Sequence, residues 1–309
     1  MTEPSNRIVA AVAGDDAEAL LQFAAQEAVR TTSALHLVHV MKMPPELPDS
    51  YDRAFKTARA FGRLILDRAA RAADDLVGGA VPVTTELVED SHGTVHDIVA
   101  RSEDARLVVL QHRHLTGLRR LTSGSTTHGV ASRAHAPVVS VPESWRPAHD
   151  PHRRITVAVQ DPTRADDTLR TAFARADVRQ DRLRIVHAWW LASGYDSIVV
   201  DDDMREDWDK RFRAALAPQL EELQAQYPDV TVEVHVRHSP TDRALETEAA
   251  ESDLLVLGRR HATLPIGSHL GPVTRFAVRS SEVPVLLVET ARQSAEETPQ
   301  RLEPLHVMY

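Results

Sequence analysis

The amino-acid sequence predicts an α/β protein made of two tandem domains, each built around five parallel strands. The first observation is an internal repeat, because several apolar segments recur after 147 residues. The second is that short apolar runs alternate with segments of helical periodicity, which is typical of βαβ units and a parallel sheet. The third is that runs such as Leu107-Val108-Val109-Leu110 are apolar on both faces, as strands covered by helices on both sides must be. The repeated segments are 7–12 with 154–159, 107–110 with 254–257, and 136–141 with 283–288.

Five strands and four helices are predicted in each half. Strands are assigned to short runs rich in Val, Ile and Leu, and helices to longer segments whose apolar residues recur every three or four positions. In the first half, the predicted elements are strand 7–13, helix 16–32, strand 35–40, helix 51–77, strand 82–89, helix 94–103, strand 106–111, helix 125–134 and strand 137–141. In the second half, they are strand 154–160, helix 164–177, strand 183–188, helix 203–226, strand 230–237, helix 241–250, strand 254–258, helix 272–280 and strand 284–288. Each half therefore resembles a doubly wound Rossmann-like or flavodoxin-like sheet, in which ligands bind outside the carboxyl ends of the strands where the strand order reverses.

A polar, proline-bearing segment separates the two halves, and this composition is typical of a linker. We expect a first domain over residues 1–143, a linker over 144–153 and a second domain over 154–290. Residues 291–309 form a polar tail whose role the sequence leaves open. The last strand of each half is apolar and would lie at a sheet edge, so we expect the domains to pair through these strands. The signal for a further homodimer of whole chains is weak.

The composition excludes several classes of protein. The chain of 309 residues contains no cysteine, which rules out disulfides, thiol nucleophiles, iron–sulfur clusters and cysteine zinc sites. The net charge is −9 and both halves are acidic, which argues against nucleic acid as a partner. No apolar run is long enough to span a membrane, and the first residues lack a secretory pattern, so we expect a cytoplasmic protein without a membrane partner.

Several motifs resemble those of the universal stress protein family in its tandem form, and the similarity covers residues 7–142 and 154–289. The motifs lie in the second strands, at the starts of the last helices and at the prolines before the final strands. They are Leu37-Val38-His39-Val40, Ile185-Val186-His187-Ala188, Gly124-Ser125, 264–273, 136–139 and 283–286. The resemblance implies a stress-response regulator that binds an adenine nucleotide, ATP included, and that has adenine nucleotide as its expected partner.

The nucleotide site implied by the resemblance lies where glycines precede a helix. Glycine lets the backbone approach a phosphate, and the unpaired N–H groups at a helix start attract an anion. ATP-binding members carry Gly, two residues, Gly, nine residues, then Gly followed by Ser or Thr, and they place an Asp at the end of the first strand. This sequence departs from that pattern at Gln111, His114, His261, Pro272, Ala13 and Gln160. The candidate nucleotide-binding residues are Val40, Ser123, Gly124, Ser125, Thr126, Ala188, Gly258 and Gly271.

For several other polar residues, a functional interpretation is weighed against a structural one. The arginines of the loops either neutralise phosphates or are solvated. His112 and His114 alternate as metal ligands can, but no nearby carboxylate completes a set, so no metal is expected. His39 and His187 lie in apolar strands and are expected to be core or pocket-edge histidines. The acidic run over 201–209 is interpreted as a helix start, where the dipole favours acidic residues. The loop arginines are Arg113, Arg119, Arg120, Arg259 and Arg260.

A function of a different class stays open beside nucleotide binding. The chain could be a nucleotide-free interaction scaffold whose pockets are closed by the side chains of Gln111, His114, Gln160 and His261. No nucleophile elbow, complete phosphate loop or His-Glu-x-x-His motif occurs, so no catalytic residue is expected. A slow ATP hydrolase would need an oriented water and a metal, for which the sequence offers no clear carboxylate near the loop.

Overall fold

A computed structural model shows the apolar runs of the sequence as strands of one sheet with helices on both faces. The described residues are 6–14, 16–42, 51–89, 92–112, 126–148, 152–191, 196–260 and 270–290. Among the helices in these ranges, none combines the length and the apolar character that crossing a membrane requires.

The first half forms strands where Val, Leu and Ile are buried on both faces. In β4, for example, the first four residues are all buried. The elements of this half are β1 (Arg7–Ala11), α1 (Glu18–Arg30), β2 (Ala34–Met41), α2 (Tyr51–Val77), β3 (Val83–Glu89), α3 (Thr94–Arg101), β4 (Leu107–His112), α4 (Thr126–Ala131) and β5 (Val138–Pro142).

The second half repeats this order and adds two short helical turns. Its elements are β6 (Arg154–Ala158), a 3-10 turn (Pro162–Arg164), α5 (Asp166–Arg179), β7 (Arg182–Trp189), α6 (Asp196–Val199), α7 (Asp202–Gln226), β8 (Val232–His238), α8 (Thr241–Ala249), β9 (Leu254–Arg260), α9 (Pro272–Ser280) and β10 (Val285–Thr290). The two added turns were not predicted, because a single turn shows no hydrophobic periodicity.

The predicted elements occur in the predicted order, with differences at their ends. The strand expected over 7–13 ends at Ala11. The helix expected over 125–134 spans only Thr126–Ala131, because the chain then turns, with the amide of Arg133 donating to the Val130 carbonyl at 3.0 Å. The loop segments 113–125 and 261–269, which carry Ser123, Gly124 and Ser125, lie outside the described residues.

The ten strands form a single sheet in the order β3-β2-β1-β4-β5-β10-β9-β6-β7-β8. Within each half all neighbouring strands are parallel, so the predicted α/β fold with five parallel strands per half is confirmed. The halves meet where β5 and β10 run antiparallel, with Val139 opposite Leu286. The strand order reverses between β1 and β4 and again between β6 and β9, which places one ligand-prone crevice in each half.

Two apolar cores lie on opposite faces of the sheet, and each continues from one half into the other. Helices α1, α2, α5 and α7 cover one face through side chains such as Phe23, Phe173 and Phe212. Helices α3, α4, α8 and α9 cover the other through smaller residues such as Val130 and Ala277. Because successive strand residues point to opposite faces, the β-strands contribute to both cores alternately.

Candidate functional site

The repeated histidines hold the first two strands of each half together at their carboxyl ends. Nδ1 of His39 donates a hydrogen bond to the carbonyl oxygen of Val12 at 2.7 Å, and His187 makes the equivalent bond to Val159 at 3.0 Å. A carbonyl oxygen can only accept, so Nδ1 carries the proton in both rings. Both side chains are buried. The interpretation as core or pocket-edge histidines is therefore confirmed.

Burial lowers the pKa of His187 below its ordinary value, although its bond to Val159 acts in the opposite direction. Its ring stacks on Phe212 of α7 with centroids 4.2 Å apart. A ring packed in this way is held neutral at pH 7 and serves the strand end as a structural group.

In the first half, the side chain of Gln111 reaches across the crevice between β1 and β4. Its Nε2 donates to the carbonyl oxygen of Asp16, just before α1, at 2.6 Å. Thr127 of α4 donates from Oγ1 to the Gln111 carbonyl at 3.3 Å. Gln111 stands where the ATP-binding pattern has its first glycine. The space that this glycine would leave open in the first half thus contains an amide side chain that links the end of β4 to the segment before α1.

In the second half, the equivalent position is Gly258 of β9, and helix α5 packs against it. A Cβ added at Gly258 would lie 2.9 Å from Oγ1 of Thr168 and 3.0 Å from Cγ2 of Thr290. Thr168 belongs to α5 and is buried. The missing side chain lets α5 approach the strand closely, and no amide bridge comparable to that of Gln111 can form from residue 258.

The helix starts of the two halves are described to different extents. Thr126 is the exposed first residue of α4, while Ser123, Gly124 and Ser125 lie outside the described residues. Gly271 precedes α9 in an extended conformation with φ −60° and ψ 164°, and no side chain among the described residues caps this helix. A Cβ added at Gly271 would meet no atom of the described residues within 4 Å. The leading N–H groups of α9 lack intrahelical partners, as at every helix start.

The two positions expected to line a base, Val40 and Ala188, are half-buried near the carboxyl ends of β2 and β7. Val40 lies opposite Val88 of β3, whereas Ala188 lies opposite Arg237 of β8. Nε of Arg237 donates to Glu248 at 2.7 Å. The two candidate base positions therefore lie opposite an apolar residue in the first half and opposite a charged residue in the second.

Arg259 is neither a solvated loop residue nor free to neutralise a phosphate. Its side chain is buried, and it donates to the carbonyl oxygen of Ala134 in the first half and to Oε2 of Glu289 at 3.0 Å. Burial lowers the pKa of Arg259, and Glu289 opposes that effect. The side chains of Arg113, Arg119, Arg120 and Arg260 lie outside the described residues.

The acidic run behaves as the helix start that the sequence predicts. Oδ1 of Asp201 accepts the backbone N–H of Met204 at 2.8 Å and caps α7. Later members pair with arginine or lysine along the helix, for example Asp209 with Arg213 at 2.7 Å. Within the described ranges, no group of three potential metal ligands occurs.

The sequence did not predict that an aromatic cluster of Trp189, Trp208 and His238 forms beside the second-half crevice. The Trp189 ring stacks on Trp208 with centroids 5.1 Å apart and lies 4.4 Å from the His238 ring. Nε2 of His238 contacts Oδ1 of the buried Asp196 at 3.0 Å. A usable signal existed, because Trp208 and Phe212 are four residues apart on α7, the spacing that places both on one helix face above β7.

Comparison with known proteins gives one consistent result. The family model described as "Universal stress protein family" matches residues 4–142 and again residues 151–289. A universal stress protein from Mycobacterium tuberculosis is 27% identical over 301 residues, covering 89% of this chain and 92% of that protein. A second one from the same species is 29% identical over 241 residues, covering 75% of this chain and 77% of that protein.

Solved structures show the same fold. The crystal structure of a universal stress protein from Archaeoglobus fulgidus has a TM-score of 0.68 at 16% identity, covering 92% of this chain and 98% of that one. A structure described as a putative universal stress protein from Pseudomonas aeruginosa has a TM-score of 0.61 at 17% identity, covering 93% of this chain and 94% of that one. At these identities the likeness concerns the arrangement of the chain and not its ligand.

Proposed function

This chain belongs to the universal stress protein family, and we propose that it is a cytoplasmic stress-response regulator that binds an adenine nucleotide, such as ATP, in its second half. The observation that carries the proposal is the contrast between equivalent positions 111 and 258. Gln111 bridges to Asp16 at 2.6 Å, while residue 258 is a glycine without such a bridge. In this proposal, the second half binds the nucleotide and the first half serves as the interaction scaffold.

The proposed nucleotide site lies outside the carboxyl ends of β6 and β9. The phosphates face the first turn of α9 next to Gly271, where the helix dipole and the leading N–H groups favour an anion. Ala188, near the end of β7, lines the base, and Gly258 keeps the crevice free of a bridging side chain. Since Gln160 replaces the expected Asp, backbone groups recognise the adenine.

The first half acts as an interaction scaffold in this proposal. Its crevice is narrowed by the Gln111 amide, so Val40 and Thr126 border a surface and not a nucleotide pocket. No nucleotide-binding role is assigned to Ser123, Gly124 and Ser125 in this proposal. The domain boundaries at 1–143, 144–153, 154–290 and 291–309 belong to the same proposal. No catalytic step is assigned to either half.

Equilibrium dialysis of the full chain with labelled ATP tests the proposal. We expect saturation at millimolar nucleotide or below, with one site per chain. The informative variant is Gly271→Asp, because Asp is a good N-cap that leaves α9 intact yet places a carboxylate beside the phosphates. The matched control is Gly271→Asn, which caps equally well without the charge.

The expected result is a loss of about tenfold or more in affinity for Gly271→Asp relative to Gly271→Asn, since like charges repel at a helix start that would otherwise hold an anion. The same substitution in the first half, Gly124→Asp, is expected to leave binding unchanged. Absence of saturation at millimolar ATP would refute nucleotide binding and leave the scaffold function. A loss in Gly124→Asp but not in Gly271→Asp would place the nucleotide in the first half.

A further inference from the structure

The seam between the halves brings equivalent residues of the repeat face to face. Val139 pairs with Leu286 in the antiparallel ladder of β5 and β10, and these two residues are 147 positions apart, which is the repeat offset. An approximate two-fold axis therefore passes between them. Any residue close to such an axis lies opposite its own equivalent in the other half.

Glu27 and Arg175 are such a pair on the face covered by α1 and α5. They are separated by 148 residues, the offset that aligns α1 and β2 with α5 and β7. An oxygen of the Glu27 carboxylate accepts a hydrogen bond from Nη1 of Arg175. The other oxygen contacts Nη1 of Arg179 at 3.1 Å and Nη1 of Arg30 at 3.2 Å. One carboxylate from the first half thus lies among two guanidinium groups from the second and one of its own.

This cluster is buried, so its charges are poorly screened by water. The Glu27 side chain is 3% exposed, and those of Arg175 and Arg179 are 17% and 12% exposed. Burial alone would raise the pKa of Glu27, but the charges of Arg175, Arg179 and Arg30 lower it below the ordinary value. Removal of the Glu27 charge would leave the largely buried Arg175 without this counter-charge, whereas Arg179 would keep Asp181 at 2.7 Å.

The opposite face of the sheet carries a second contact that is not symmetric. Arg259 of β9 donates across the seam to the carbonyl oxygen of Ala134 in the first half. Its equivalent at the 147-residue offset is His112, whose Nδ1 contacts Oγ of Ser140 within the same half at 2.8 Å. The two halves therefore present different groups to each other on both faces.

Homotypic pairing of either half would place like charges at the axis. Two copies of the first-half face would bring two Glu27 carboxylates together, each with only the partly exposed Arg30 of its own half as a counter-charge. Two copies of the second-half face would bring two Arg175 guanidinium groups together without Glu27, although each Arg179 would keep its own Asp181 at 2.7 Å. Like charges that are brought together and shielded from water repel each other strongly, so such a contact is unfavourable.

We infer that the pairing face of this protein is selective, so that a first-half face pairs with a second-half face and not with a copy of itself. The edges of β5 and β10 are already hydrogen-bonded to each other within the chain. A further copy of the chain cannot be added through a homotypic β5–β5 or β10–β10 contact, and any homodimer must use another surface.

Charge reversal in the full chain tests this inference. The variants are Glu27→Arg, Arg175→Glu and the double reversal. The readout is amide hydrogen exchange across β5 and β10, compared with β2 and β7, which lie away from the seam. The matched control is Glu206→Lys, which breaks an exposed Glu206–Lys210 pair of 2.7 Å on α7.

Each single reversal is expected to weaken protection of β5 and β10 by about a hundredfold, the loss that breaking a buried ion pair produces. The double reversal should recover most of this loss, and Glu206→Lys should change nothing at the seam. The inference is overturned if the double reversal is no better protected than the weaker single variant, or if single reversals leave β5 and β10 unchanged.

Should a reversal variant fail to fold, the neutral pair Glu27→Gln and Arg175→Gln supplies the same information. The double-mutant cycle is expected to show coupling between the two positions, with the double variant losing less protection than the sum of the singles. Strictly additive losses would overturn the inference.

Discussion

Replacement of Glu248 by glutamine should destabilise the second half far more than the same replacement at Glu251. The Glu248 side chain is 1% exposed, and its carboxylate accepts from Nη1 of Arg184 at 2.6 Å, Nε of Arg237 at 2.7 Å and Nδ1 of His235 at 3.2 Å. Glu251 contacts the same Arg184 at 3.1 Å, but its side chain is 59% exposed. The two substitutions therefore remove one charge each from a shared partner at very different burial.

The expected loss for Glu248→Gln is about 3 kcal/mol, because the buried guanidinium group of Arg184 loses a desolvated counter-charge. This is the lower end for a buried pair, since Arg184 keeps Glu251 and also Glu233 at 3.6 Å. The expected loss for Glu251→Gln is about 0.5 kcal/mol, as for an exposed ion pair. At about 2 °C per kcal/mol for a chain of this size, the midpoints of thermal unfolding should fall by about 6 °C and about 1 °C.

The pH dependence gives an independent check on the cause. Burial would raise the pKa of Glu248, but hydrogen bonds from Arg237 and His235 and the charges of Arg237 and Arg184 lower it below the ordinary value. A carboxylate whose pKa is lowered in the folded state contributes stability above its unfolded pKa, about 4.5, and loses that contribution as the pH falls through the folded value. The difference between wild type and Glu248→Gln should thus be constant near neutral pH and shrink in acid.

Thermal unfolding followed by circular dichroism between pH 7 and pH 3 measures both effects. Equal midpoint losses for Glu248→Gln and Glu251→Gln would refute the argument from burial. A difference that stayed constant in acid would refute the argument from ionisation.

Two other predictions concern the strand ends that border the proposed nucleotide site. Gly258→Ala should lower the free energy of unfolding by about 1 kcal/mol, because the added Cβ would lie 2.9 Å from Oγ1 of Thr168. Adding Thr168→Ala to this variant should reduce the loss, and urea unfolding in which the effects of the two substitutions simply add would contradict the close packing. The lowered pKa of His187 means that its neutral ring contributes stability that is fully present above about pH 6.5 and is lost as the pH falls. The thermal midpoint of the wild type should therefore fall more steeply than that of His187→Gln below about pH 6.5, and parallel profiles would show that this ring does not titrate with folding.

The repeat shows how charge clusters diverge while their places persist. In the first half, Glu86 contacts Arg101 at 2.5 Å and His36 at 3.1 Å. The equivalent of Arg101 at the 147-residue offset is Glu248, which takes the acidic role in the second half. Each half keeps a compensated set of acid, arginine and histidine on the α3 or α8 face, with the signs placed on different elements. Such exchange is invisible to a comparison of single positions.

The sequence by itself determined the elements and their order. Strands such as β4 are apolar on both faces, and that pattern survives any detail of packing because a central parallel strand has no solvent side. The role of the 201–209 run could also be predicted, since a helix cap involves residues only three positions apart. The core placement of His39 and His187 followed from the apolar strands around them. In each of these cases the decisive neighbours are local in the chain.

Tertiary structure alone decided which side chains meet across the crevices and the seam. Gln111 and Asp16 are 95 residues apart, Glu27 and Arg175 are 148 apart, and Arg259 and Ala134 are 125 apart. No periodicity connects such positions, and a loop arginine or a helix glutamate looks solvated until the opposing half is in place. The physical reason is that hydrophobic pattern encodes which face of an element is buried, whereas the partner of a buried polar group depends on how the faces are brought together.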